Sequence, residues 1–262
     1  YRQALEKTFA NAQSPPDRAA LLELTQRQKR LPKGGGPKRR IAEMESDAYQ
    51  AVLDGVLADE HISVEEAGIV RAAEQTLRLD PDRRLQAKRD LFSAAYLEAI
   101  EDRRITKEEL DRLRNLVTRL EIPREEVESE LDVLREIIET QKLQLPLDEI
   151  PPEEVVVPVQ KSEQVFHQCS AQVLSRRKSK DSPSGYEYTV RRDGTMVLTN
   201  KRICVVGDGT TQIRYGDIAD LDVDIDEKMI EVSKVGVGRP TFLKAPAPLY
   251  VGRVAELLMG GE

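Results

Sequence analysis

The stretch "GTMVLTNKRICVVGDGTTQIRYGDIADLDVD", residues 194–224, decides the fold of the second half of this chain. Short apolar runs alternate with polar residues, and Gly207-Asp208-Gly209 supplies a tight turn between two of them, which is the pattern of antiparallel strands joined by hairpins. Upstream, "VFHQCSAQVLS" and "GYEYTVRR" continue it, with Asp193-Gly194 as a further hairpin signal; downstream, "KMIEVSKVG" and "PTFLKA" do the same. The chain then changes period. In "PLYVGRVAELLMGG", Leu249, Val254, Leu257 and Leu258 share one helical face between Pro248 and Gly260. A compact antiparallel sheet or barrel capped by one C-terminal helix is expected.

The first half is helical and repetitive. "NAQSPPDRAALLELTQRQKRLP" (11–32), "ADEHISVEEAGIVRAAEQTLRLDP" (58–81) and "IEDRRITKEELDRLRNLVTRLEIP" (100–123) share one plan. Each runs from a polar turn through Ser or Thr and an acid three residues on, then through helix-spaced aliphatics to a Leu or Ile before proline. Tyr1, Tyr49 and Tyr96 precede the three units. Leu110, Leu113, Val117 and Leu120 form one apolar stripe, and Leu85, Phe92, Tyr96 and Ala99 another; both read as core. Three copies of a helical hairpin follow.

Between the halves, "TQKLQLPLDEIPPEEVVVPVQ" (140–160) has four prolines and no helical period, and reads as an extended linker. The expected organisation is α+β and multidomain: a helical-hairpin repeat domain over 1–139, a linker over 140–160 and a β-rich domain over 161–262.

Composition narrows the class. With 39% hydrophobic and 33% charged residues the chain reads as soluble and cytoplasmic, and no run nears the roughly 20 apolar residues of a membrane span. A sequence beginning at Tyr1 without an initiator leaves open whether it is a whole protein or a fragment. Its two cysteines, Cys169 and Cys204, make neither a disulfide scaffold nor a zinc knuckle. The net charge of -7 is uneven: residues 1–48 carry 10 basic and 6 acidic side chains, residues 49–150 carry 15 and 25, and residues 151–262 carry 15 and 16. Separate surfaces with separate tasks are implied.

"LADEHISVEEAG" (57–68) resembles the second half of a calcium loop. With Ile62 at the eighth position of a twelve-residue loop, Glu66 falls at the twelfth, yet Gly55, Leu57 and Glu60 fall at the first, third and sixth. The copy aligned on Ile105 has Glu98 first and Glu109 last, with Ile100 third and Arg103 sixth. Neither supplies six oxygens. Ser63-x-x-Glu66 and Thr106-x-x-Glu109 instead match capping boxes, and Ser14-Pro15 with Asp17 is the first repeat's version. No metal is expected.

The repeat "LADEHISVEEAGIVRAAEQTLRL", seen again as "IEDRRITKEELDRLRNLVTRLEI", resembles TerB-like (tellurite-resistance B) helical domains over about residues 40–140. Asp59-Glu60 and Asp102-Arg103 stand where that family usually has Asp-Gly. The resemblance implies a scaffold associated with bacterial stress or defence systems. The run Val197-Leu198-Thr199-Asn200-Lys201-Arg202-Ile203, continued by Ile218, Leu221 and Val223, resembles bacterial PH-like and GRAM-like domains over about 160–260. That resemblance implies a seven-strand, partly open barrel capped by the final helix, which binds lipid headgroups, peptides or proteins.

Two basic clusters are candidate docking sites. Arg176, Arg177, Lys178 and Lys180 lie between the first two expected strands, placed to meet an anionic lipid or phosphate. "RQKRLPKGGGPKRR" (27–40) carries Arg27, Lys29, Arg30, Lys33, Lys38, Arg39 and Arg40 with no acid, and its three glycines suggest a conformable loop for nucleic acid or an acidic partner. No aromatic residue is interleaved for base stacking, and no Gly-Lys-Ser/Thr follows the glycines. His167 and Cys169 share a strand face without an orienting acid, and Asp220, Asp222, Asp224 and Asp226 read as a wet strand face. No catalytic residue, cofactor or small-molecule substrate is expected. The reading is a non-enzymatic recruitment or regulatory module in which the helical domain engages a protein partner and the β-rich domain docks on a second protein or on an anionic membrane; the alternative is a nucleic-acid-associated accessory domain using residues 27–40.

Overall fold

The computed structural model describes residues 1–9, 18–30, 35–57, 61–180 and 185–260. By its internal contacts the chain divides into two units, Tyr1–Asp132 and Val133–Glu262. The architecture is α+β, helical in the first half and a seven-stranded antiparallel sheet with a C-terminal helix in the second.

The first unit is built of α1 (Arg2–Phe9), α2 (Arg18–Lys29), α3 (Gly35–Val56), α4 (Val64–Thr76), α5 (Pro81–Ala99) and α6 (Lys107–Arg119). α1 packs on α2, α3 on α4 and α5 on α6, so the three repeats are three hairpins; α1 also packs against α3. Both complete boxes form. The Ser63 hydroxyl accepts from the Glu66 amide (3.1 Å) while the Glu66 carboxylate accepts from the Ser63 amide (2.9 Å). Thr106 and Glu109 repeat the exchange at 3.2 and 2.8 Å. The carboxylates that a calcium loop would use are therefore engaged with the backbone, each box worth about 1 kcal/mol. The Ser14 cap lies outside the described residues, as do Asp59 and Glu60.

Pro81 opens α5 behind the Asp80 N-cap, as a residue without an amide donor can. Tyr49, Leu53, Ile62, Ile69, Phe92, Leu113 and Leu116 are fully buried. Two carboxylates lie among them, Glu45 buried and Glu74 half-buried. Glu45 is 1% exposed and accepts from the Tyr1 hydroxyl, the Gln28 side-chain amide (3.1 Å) and the Arg78 backbone amide (3.2 Å). Glu74 accepts from the Tyr49 hydroxyl (2.7 Å) and pairs with Lys88 (2.6 Å). Because each carboxylate is met by two or more donors, its desolvation is offset.

The loop between α5 and α6 keeps a left-handed residue where a calcium loop has glycine: Arg103 has φ 57°. Asp102 accepts from the Arg104 amide (2.9 Å), and Glu98 pairs with Arg112 (3.0 Å). Across the unit, the Asn115 side chain accepts from the Ile62 amide (2.8 Å) and donates to its carbonyl (3.0 Å), tying the α3–α4 loop to α6.

Helix α7 (Glu128–Lys142) leads into the second unit, where β1 (Val165–Lys178), β2 (Tyr186–Thr199), β3 (Arg202–Gly207), β4 (Thr210–Arg214), β5 (Ile218–Asp224), β6 (Met229–Lys234) and β7 (Thr241–Lys244) precede α8 (Pro248–Gly260). The strands are ordered β4-β3-β2-β1-β7-β6-β5, all neighbours antiparallel. This is the seven-strand, helix-capped arrangement expected of a PH-like domain.

Asp193-Gly194 is not the hairpin that its sequence suggests. Both residues lie inside the long β2, where Gly194 faces Gly207 of β3. A Cβ at Gly194 would stand 2.0 Å from the Val206 carbonyl oxygen, and one at Gly207 would stand 1.9 Å from that of Asp193. The glycine permits a close strand approach rather than a reversal. Gly207-Asp208-Gly209 does turn the chain, between β3 and β4.

The segment read as a linker packs on the sheet. Ile150 pairs with Val165, and Ile150, Val155, Val157 and Val159 cover Val165, Val197 and Cys204. The Gln168 side chain bonds both the Val156 amide (3.1 Å) and the Glu154 carbonyl (2.8 Å). Its prolines exclude a regular helix, and its valines supply the apolar cover. At the same end the Thr199-Asn200-Lys201-Arg202 run acts as a clasp. The buried Thr199 hydroxyl accepts from the Lys201 and Arg202 amides (both 3.1 Å), Asn200 bonds Gln164, and Arg202 pairs with Glu163 at 2.7 Å. Burial would raise the Glu163 carboxyl, but the Arg202 fork and the Gln160 amide hold it below its ordinary value.

Helix α8 buries Pro248, Leu249, Val251, Gly252, Val254 and Ala255, a face rotated from the expected one, with Leu257 and Leu258 half-buried. Gly252 allows the helix to seat on β5, since a Cβ there would meet Val223 at 2.8 Å. Glu136 of α7 caps it, accepting from the Leu249 (2.5 Å) and Tyr250 (3.1 Å) amides. Burial pushes the Glu136 carboxyl above its ordinary value, while these amides and Lys228 pull it down.

Candidate functional site

The basic cluster of residues 176–180 is mostly strand. Arg176, Arg177 and Lys178 form the end of β1, opposite Tyr188, Glu187 and Tyr186 of β2; only Ser179 and Lys180 among the described residues lie beyond it. Alternation then sorts the cations. The Arg176 guanidinium stacks over the rings of Tyr186 (4.6 Å) and Phe242 (4.7 Å) and pairs with Glu231 (3.6 Å). It roofs an apolar cluster of Leu174, Met229 and Phe242, flanked by Tyr188, whose ring meets Phe242 edge-on. Arg176, expected as a headgroup ligand, has its guanidinium engaged in this packing, with its side chain 31% exposed.

Arg177, Lys178 and Lys180 are exposed. Glu187 stands opposite Arg177 in the ladder, and Lys178 and Lys180 have no ion-pair partner among the described residues. The register carries a second loop to this strand end. Leu174 pairs with Phe242 in antiparallel fashion, so chain beyond Leu174 and chain before Phe242 run the same way; the β6–β7 turn, residues 235–240, therefore comes to the end that carries Arg177 and Lys178. That turn exposes Val235 and Val237, and Arg239 follows them.

The cluster of residues 27–40 is also partly helix. Arg27 and Lys29 end α2, and α3 begins at Gly35, so at least two of the three glycines start a helix instead of making a conformable loop. Pro37 is tolerated there because first-turn amides have no intrahelical partner. Arg27 pairs with Glu23 (2.7 Å) and Arg39 with Glu43 (3.0 Å), each one helical turn away. Lys29, Arg30 and Arg40 are exposed; Lys33 and the Lys38 side chain lie outside the described residues. The acids that partly neutralise this cluster flank the basic run in sequence.

His167 and Cys169 share the face of β1 that meets α8, and the His167 ring lies 5.2 Å from that of Tyr250. Burial lowers the His167 imidazole and pushes the Cys169 thiol up to about 11. Among the described residues His167 Nε2 is buried without a hydrogen-bond partner. Burial thus favours the protonated thiol and the neutral imidazole, which packs against the Tyr250 ring. Asp220, Asp222 and Asp224 are exposed along β5. Among the described residues no three His, Cys, Asp or Glu side chains gather into a group that could hold a metal. No helix among them is long and apolar enough to cross a membrane.

A shallow hollow of about 260 Å³ lies over the middle of β1, lined by Ser170, Gln172, Asp193, Lys228, Lys244 and Pro246. Lys228 and Lys244 meet there because Met229 pairs with Lys244, a juxtaposition that local sequence does not show. The Gln172 amide donates to Asp193 (2.7 Å) on its rim.

No protein-family model matches the chain, and no curated protein matches it. Among solved structures the chain is similar to "Crystal Structure of an N-terminally Truncated Linker-DH/PH Domains of p115-RhoGEF", at 14% identity and a TM-score of 0.27, covering 99% of this chain and 80% of that one. A likeness that weak carries no argument about function.

Proposed function

We propose that the chain is a non-enzymatic docking module. Its PH-like domain holds an anionic lipid surface through Arg177, Lys178 and Lys180, and its helical unit offers a face to a protein partner, as a TerB-like scaffold would. One observation carries the reading: Arg177, Lys178 and Lys180 are exposed at one strand end, while the guanidinium of the neighbouring Arg176 is engaged by Tyr186, Phe242 and Glu231. Each cation held near an anionic leaflet contributes about 1 kcal/mol, so three support reversible attachment that weakens with salt.

Co-sedimentation tests this. The chain is expected to pellet with phosphatidylcholine vesicles that contain phosphatidylserine and to stay in solution with phosphatidylcholine alone. Arg177→Glu, Lys178→Glu and Lys180→Glu together should abolish pelleting without changing the melting temperature. Binding indifferent to lipid charge contradicts the reading.

A further inference from the structure

We infer that the β6–β7 turn is an apolar tip that enters the headgroup region of an anionic bilayer while the surrounding cations hold its phosphates. The inference rests on the membrane reading above and deepens it by naming the part that penetrates.

Val235 and Val237 are 67% and 54% exposed, and Tyr186, at the neighbouring end of β2, is 37% exposed. Scattered surface valines need no explanation, but these occupy a single built turn. The Val237 amide donates to the Lys234 carbonyl (3.2 Å), Gly236 takes the left-handed φ of 70° that the third residue of such a turn requires, and the Val235 amide donates to the Asp217 carbonyl (2.9 Å). The backbone is thus pinned on both sides of the glycine. Two aliphatic side chains are held outward at a cost that burial elsewhere in the domain would have avoided.

Charge selects the occupant. Lys234 and Arg239 bracket the turn in sequence, and the strand register brings Arg177, Lys178 and Lys180 to the same end. The acids at this end are Glu187, opposite Arg177, Glu231, paired with Arg176 at 3.6 Å, and Asp217, whose carbonyl anchors Val235; Asp181 follows Lys180 in sequence, outside the described residues. A projecting tip of two valines within a basic surround fits a medium that is anionic outside and apolar a few ångströms deeper. A tyrosine at the rim suits that interface as well.

The chain contains no tryptophan, so Val237→Trp installs a single reporter in it. On mixing with vesicles of phosphatidylcholine and phosphatidylserine, its emission should shift to the blue and be quenched by brominated acyl chains, and phosphatidylcholine alone should do neither. Val235→Ser with Val237→Ser adds no charge and should weaken partition into the anionic vesicles about tenfold. Partition that is unchanged in the serine variant, with unshifted emission from bound protein, would mean docking by charge alone; the inference then falls and the membrane reading stands. Failure of the unaltered chain to bind anionic vesicles overturns both. Unchanged melting temperatures in the variants guard against unfolding as the cause.

Discussion

The guanidinium of Arg176 lies 4.7 Å from the centre of the Phe242 ring and closes an apolar cluster on the sheet that would otherwise face water. Arg177, the next residue, points to the opposite face with Glu187 across from it. Arg176→Ala should therefore cost about 1–2 kcal/mol through lost stacking and packing, whereas Arg177→Ala should stay within about 0.5 kcal/mol, as most surface changes do. Urea denaturation of the two variants checks the difference. Equal effects would place both arginines on the surface.

The capping boxes predict both a loss and an indifference. Ser63→Ala and Thr106→Ala should each destabilise by about 1 kcal/mol. Because Glu66 and Glu109 accept the cap amides, calcium should leave the melting temperature unchanged. A calcium-dependent rise would show that these carboxylates are free to chelate.

Glu136 fastens α8 through two backbone amides. Glu136→Ala should cost about 1–3 kcal/mol, the range for stranding buried donors. Glu136→Gln retains an oxygen acceptor and should cost less. Thermal melts of both variants, with amide exchange over residues 248–252, distinguish a local loss at the helix start from general weakening.

His167 gives the domain a slope on the acid side. Burial lowers its folded-state value below the ordinary 6.5, so between those two values the unfolded chain binds the proton and the folded chain does not. Stability from this group is full above about pH 6.5 and falls as pH drops through the lowered folded value. His167→Phe should flatten that part of the profile relative to the unaltered chain, measured as melting temperature from pH 8 down to pH 5. Parallel profiles would mean that the imidazole is solvated.

What the sequence disclosed and what it hid divide along range. The boxes at Ser63 and Thr106 were legible because both partners lie within one helical turn, and the hairpins because their pattern recurs. Gly194 misled because a glycine that permits close strand approach and one that permits a turn look alike until Gly207 is known to face it. Arg176 read as a ligand because Phe242 and Glu231, which claim it, are brought up only by strand pairing. Val235 of the β6–β7 turn read as the end of a strand, since exposure depends on where the ladder stops. The proline-rich stretch over 140–160 read as a linker because its valines find their partners only on the assembled sheet.

Amide hydrogen exchange of the full chain, with and without phosphatidylserine-containing vesicles, tests the central claim most directly. The account predicts added protection over residues 177–180, 186 and 234–239, with none over β3 and β4. Protection confined to other parts of the chain, or absent while the protein is vesicle-bound, would contradict it.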